Sequence, residues 1–108
     1  MFMQDRQSVA AGATVTPFSG NVHEFLQTDG LVMVAVNGAA TGITFDLTIG
    51  TRVVTQGAFA SEINRIPQFP EDFTIDGPGL AGEKVTLRVT NTTGGALVVF
   101  SSAKIIPA

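Results

Sequence analysis

The stretch "ITFDLTI" (43–49) places Ile43, Phe45, Leu47 and Ile49 on one side of an extended chain and Thr44, Asp46 and Thr48 on the other. A period of two describes a strand with one dry and one wet face, and no stretch of the chain sustains a helical period against it. The same alternation, broken by Gly, Asn, Asp and Pro, marks candidate strands at 8–16, 22–27, 31–37, 43–49, 52–56, 73–76, 83–91 and 97–106. Turn chemistry separates them at "NGAATG" (37–42), "GT" (50–51), "DGPGLAG" (76–82) and "NTTGGA" (91–96). On this reading "KVTLRV" and "LVVFSSAKII" pair as the last hairpin. Seven or eight strands with no helix to carry a parallel crossover imply an all-β, single-domain antiparallel β-sandwich, with an eight-stranded jelly roll as the expected form.

At 108 residues the chain has room for one core. We expect a single β domain over 8–108 preceded by a flexible arm, 1–7, because "MFMQDRQ" shows no strand pattern to hold Phe2 and Met3. That amino end also lacks the basic start and apolar run of a secretory signal, and no run approaches the roughly 18 apolar residues that span a bilayer. Without Cys there is no disulfide and no thiolate metal site. Nine acids against six bases, scattered and with a net charge of −3, offer no basic stripe for phosphates, so neither nucleic acid nor membrane is expected as a partner. Only 14% of residues are charged, against about 25% for an ordinary soluble domain. That shortage is what surface shared with other subunits would produce.

One segment departs from the hairpin pattern. The connection from Ala58 to Asp72 runs about fifteen residues, where two to five is usual. Within it "INRIPQFPEDF" (63–73) holds two prolines that bias Ile66 and Phe69 toward extended backbone. The stiff passage has two uses: a crossover between sheets pinned by its own Phe residues, or a contact with a neighbour. Phe2, Met3, Arg65, Ile66, Pro67, Phe69 and Pro70 are accordingly the candidate subunit-contact residues.

Residues that carry chemistry are sparse. His23 is the one histidine, so a zinc-type set of converging imidazoles or thiolates cannot be assembled. No G-x-S-x-G elbow accompanies the serines, and "GAATG" and "DGPGLAG" lack the lysine and following helix of a phosphate loop. Glu71, Asp72 and Asp76 cluster near the prolines without the spacing of a calcium loop. All eight aromatics are Phe, which favours core over a sugar-binding platform with a polar handle. The expectation is a protein that is not an enzyme, with no metal and no cofactor.

From 61 to 108 the order "SEINRIPQFPEDF", a Gly-rich turn, "VTLRVTN", "TTGGA" and a closing strand ending in Pro resembles small structural proteins of bacteriophage particles. The resemblance covers about residues 31–107, and Asn64, Arg65, Pro67, Pro70, Asp72 and Phe73 carry its signature in the crossover. It implies a jelly-roll penton, minor capsid or cement subunit in the virion. Such a subunit is made in the host cytoplasm and partnered by copies of itself, as a pentamer or trimer, and by other capsid proteins. The alternative is a carbohydrate- or receptor-binding sandwich module carried on a larger assembly.

Overall fold

The computed structural model describes residues 2–21, 24–69, 71–73 and 75–107, with the side chain of Phe2 left aside. The chain is all-β. Its strands are β1 (Phe2–Val9), β2 (Thr14–Val15), β3 (Gly30–Gly38), β4 (Ile43–Ile49), β5 (Arg52–Phe59), β6 (Ser61–Glu62), β7 (Ile75–Gly79), β8 (Val85–Asn91) and β9 (Leu97–Pro107). They form two sheets. One has the order β1-β9-β3, with β6 and β7 both on the far edge of β3; the other has the order β2-β8-β4-β5. All pairings are antiparallel except the short β3–β6 contact.

The alternation read from the sequence decides what lies between the sheets. Val32, Val34 and Val36 of β3 share one cluster with Ile43, Phe45, Leu47 and Ile49 of β4, Val85, Leu87 and Val89 of β8, and Val99, Ala103 and Ile105 of β9. Phe18 and Leu26 close it from the long β2–β3 connection. The radius of gyration, 12.9 Å, is that of a packed chain of about 100 residues.

Three expectations are corrected. Of the arm expected over 1–7, Met1 lies outside the described residues, and from Phe2 onward the chain is no free arm but pairs with β9 in unbroken register, Phe2 opposite Lys104 to Val9 opposite Leu97. Met3, 1% exposed, and Val9 enter the core. The polar residues between them obscured that strand in the sequence. The expected strand at 8–16 is split: its first two residues end β1, a turn occupies 10–13, and Thr14–Val15 form the short β2. Of the strand expected at 22–27, Val22 and His23 lie outside the described residues, and Phe25 makes only an isolated bridge to Lys84.

The second correction concerns "DGPGLAG", in which β7 continues through Gly79. Gly77 and Gly79 face inward where an added Cβ would meet Val54 at 3.1 Å and the Leu26 side chain, respectively. Pro78 is tolerated because β7 pairs on one side only.

The third is topological. β8 and β9 are not a hairpin, because β8 pairs with β4 and β2 while β9 pairs with β1 and β3. The connection 92–96 crosses from one sheet to the other, and Asn91, fully buried, holds that crossing. Its Nδ2 donates to the carbonyls of Val9 (2.9 Å) and Gly95 (2.8 Å). Its Oδ1 accepts from the N–H and hydroxyl of Thr93 at 2.9 and 2.6 Å. Its backbone N–H donates to Ala13 and its carbonyl accepts from Gly12.

With about 0.5–1.5 kcal/mol net for each such bond, and more where a buried partner is stranded, Asn91→Ala is expected to lower the unfolding free energy by about 2–4 kcal/mol. Urea denaturation measures this, with the exposed Thr92→Ala within about 1 kcal/mol of wild type as control. Equal losses in the two variants would remove Asn91 from this role.

Candidate functional site

On the outward face of the larger sheet, residues of opposite phase to the core form cross-strand rows. Phe100 lies opposite Asn37, Ser102 opposite Ala35, Lys104 opposite Met33 and Ile106 opposite Leu31. Met33 and Leu31 are continued on β7 by Asp76 and Pro78. An outward face should be wet, yet Ala35, Asn37, Phe100 and Ser102 are buried. From the segment between β6 and β7, Arg65 lies over Asn37 and Phe69 over Lys104, while the Arg6 guanidinium stands 5.6 Å from the Phe100 ring centroid.

This flap leaves and rejoins the same edge of β3. β6 pairs in parallel with Asn37–Gly38, and β7 pairs with Gly30–Val34. Between them the chain folds over the sheet and is held from below. Asn37 Nδ2 donates to the Arg65 carbonyl at 3.1 Å, and the Lys104 ammonium sits 3.9 Å from the Phe69 ring centroid. Within the flap, Asp72 accepts from the Gln68 N–H at 2.9 Å and pairs with Arg65 at 3.1 Å. The Phe69 and Phe73 rings meet edge to face at 5.4 Å. The crossing between sheets expected of the proline stretch is made before it, at Ala60 between β5 and β6; the stretch itself starts and ends on the larger sheet.

The expected contact residues are placed unequally. Met3 and Pro67 are buried within their own subunit. The guanidinium of Arg65 is engaged by Asp72. Ile66 and Phe69 remain partly open, 37% and 38% exposed. Phe2 is placed by its backbone opposite Lys104, and Pro70 lies outside the described residues. Of the clustered acids, Asp72 is spent on the flap and Asp76 is exposed on β7. Among the described residues no group of three or more His, Asp or Glu converges as a metal site.

Beyond the flap the face is bare. Ile106, Leu31 and Pro78 form one exposed row, and Leu80, 55% exposed, follows at its end. Phe69 and Ile66, on the flap, are exposed to a similar degree. Leu31 and Ile106 were missed as surface residues, although consecutive apolar residues in "LVMV" and "KIIP" already put one of each pair out of phase with the core. Compared with models of protein families, with curated proteins and with solved structures, the chain matches none.

Beneath the flap, Asn37 Oδ1 is buried without a hydrogen-bond partner. Asp72→Asn weakens the clasp to Arg65 and is expected to speed amide hydrogen exchange in 63–73 by about tenfold or more, leaving β4 and β8 unchanged. Uniform acceleration across both sheets would mean that the flap does not open as a unit.

Proposed function

We propose that this chain is a non-enzymatic structural subunit of a bacteriophage capsid, a penton, minor capsid or cement protein that works through symmetric contacts with its own copies and neighbouring shell proteins. The observation that carries the reading is the bare apolar row Ile106, Leu31 and Pro78 beside a roofed half of the same face, in a chain with few charges. Such a surface is costly in water and is what an obligate interface uses. The resemblance of 61–108 to phage structural proteins supplies the particle, and the virion is then the place of action.

We further infer that the two sheets form a jelly-roll sandwich. β7 is antiparallel to β3 and counts as the sixth strand, while the two-residue β6, parallel to β3, stands outside the count. The sheets then read first, eighth, third, sixth and second, seventh, fourth, fifth along the chain, the order obtained by winding a long hairpin around a barrel. This favours the capsid reading over other Greek-key sandwiches, because capsid subunits use that architecture widely.

Sedimentation equilibrium of the purified chain over a range of concentration and salt is expected to give a discrete pentamer or trimer. Ile106→Asp, which places a charge in the bare row without entering the core, is expected to weaken association by about tenfold or more. A wild-type monomer at every concentration and salt would overturn symmetric self-assembly, and an unaffected Ile106→Asp would move the interface elsewhere.

A further inference from the structure

A ring of like subunits larger than a dimer cannot be closed by one patch meeting itself. Each subunit must offer two different surfaces, one to each neighbour, whereas a surface that meets its own copy closes at two chains. Given the self-assembly proposed above, on which this inference rests, the row Ile106, Leu31 and Pro78 supplies one surface. Its counterpart must be apolar, exposed and turned away from that row.

Val53 and Phe59 of β5 meet all three conditions. At 64% and 77% exposed they are the most open of the large apolar side chains among the described residues. Val53 lies opposite Thr48 and Phe59 opposite Thr44. Those threonines alternate with the core residues Ile43, Phe45, Leu47 and Ile49, so Val53 and Phe59 stand on the outward face of the smaller sheet. The row stands on the outward face of the larger one. The two apolar sets therefore look in opposite directions, as the two neighbours of a ring member require.

The character of β5 says how it makes contact. It is the outer strand of its sheet, but its register against β4 shifts between Phe45 and Leu47 and again between Leu47 and Thr48. In the first shift the Gly57 N–H, at a φ of 67°, donates to Asp46 Oδ1 at 2.6 Å. Such bulges spoil an edge for strand addition, so β5 meets a neighbour through its side chains and not by extending the ladder. Next to it the half-buried Thr44, Thr48, Thr86 and Thr90 offer methyl groups and short hydroxyls, with little rotamer freedom to lose. Arg52, at the start of β5, is held by Glu83 and the Pro78 carbonyl, both at 2.8 Å.

Charge separates the possible pairings. Arg88, exposed on the face of the smaller sheet, and Asp76, exposed on β7 beside the row, make no ion pair among the described residues. A row meeting its own copy would offer Asp76 only Arg6 and Lys104, cations already seated over Phe100 and Phe69. We propose that the Val53 and Phe59 margin of β5 receives the Ile106, Leu31 and Pro78 row of the next copy, head to tail, with Arg88 facing the Asp76 of that copy. Opposite charges then meet at the border of an apolar contact, which fixes its orientation.

Sedimentation equilibrium of two variants of the full chain, alone and mixed, tests the junction. Phe59→Asp keeps the row and spoils the margin, and Ile106→Asp does the reverse. Each alone is expected to associate about tenfold more weakly than wild type, or worse. Mixed in equal amounts they retain one intact junction between them, so a heterodimer that neither forms alone is expected, with no larger species. Loading to about 1 mM reaches a junction of millimolar strength. Thermal melts matching the wild type establish that both variants fold. Phe59→Asp assembling as the wild type does would overturn the proposal, as would a mixture that stays monomeric while the wild type assembles. A wild type that is monomeric throughout would instead remove the self-assembly reading and this junction with it.

Discussion

The buried amide of Asn91 is the point at which the two sheets are made one structure. It sits in the core phase of β8, after Val85, Leu87 and Val89, where another apolar residue would continue the strand pattern. An amide there can reach three separate segments: the end of β1, the crossing to β9 and, through its own backbone, the turn before β2. A buried polar group so fully partnered specifies geometry that apolar packing alone leaves open. With both donors and the acceptor of its side chain occupied, the chain cannot return beside β8 as a hairpin without stranding them.

Once β8 and β9 part, the rest of the arrangement follows. β9 becomes the centre of the larger sheet, taking β1 on one side and β3 on the other, and β1 is held as a strand by an edge that would otherwise be empty. The far edge of β3 is left for two short strands. The chain between them is too long to turn tightly, and its prolines keep it extended, so it folds over the outward face. Half of that face becomes interior and half stays apolar and open. On the smaller sheet β2 pairs with β8 at two residues only, so that edge of β8 is covered by a strand over a short length.

Much of this was legible. The phase of β4 and β8 is written in alternating residues, and on β3 and β9 the residues between the sheets keep that phase, whereas Ala35, Asn37, Phe100 and Ser102 are buried against it. The turn at 50–51 and the strand-rich, helix-free character follow from Gly, Thr, Val and Ile used as their backbone preferences dictate. The flap was recognisable as an exception, though not as a roof, since nothing local tells which surface a stiff segment will meet. The expected arm was misread because Gln4, Asp5, Arg6 and Gln7 show no apolar alternation; their strand is imposed by the vacant edge of β9. Met3 and Pro67, expected to reach a neighbour, are consumed by their own fold, whereas Leu31 and Ile106, not singled out, stand partly open on the larger sheet.

The residues alone determined the class of structure: an all-β chain with one core, no cysteine chemistry, little charge and a long proline-stiffened connection. Those are local properties, set by side-chain alternation and backbone preference within a few residues. Tertiary structure alone decided which strands became neighbours, that the last two belong to different sheets, that the flap covers Asn37 while leaving Leu31 bare, and that Glu24 and Lys84 meet as an ion pair. These depend on contacts between residues tens of positions apart, whose energies are set by shared burial and mutual hydrogen bonding. No local pattern records them.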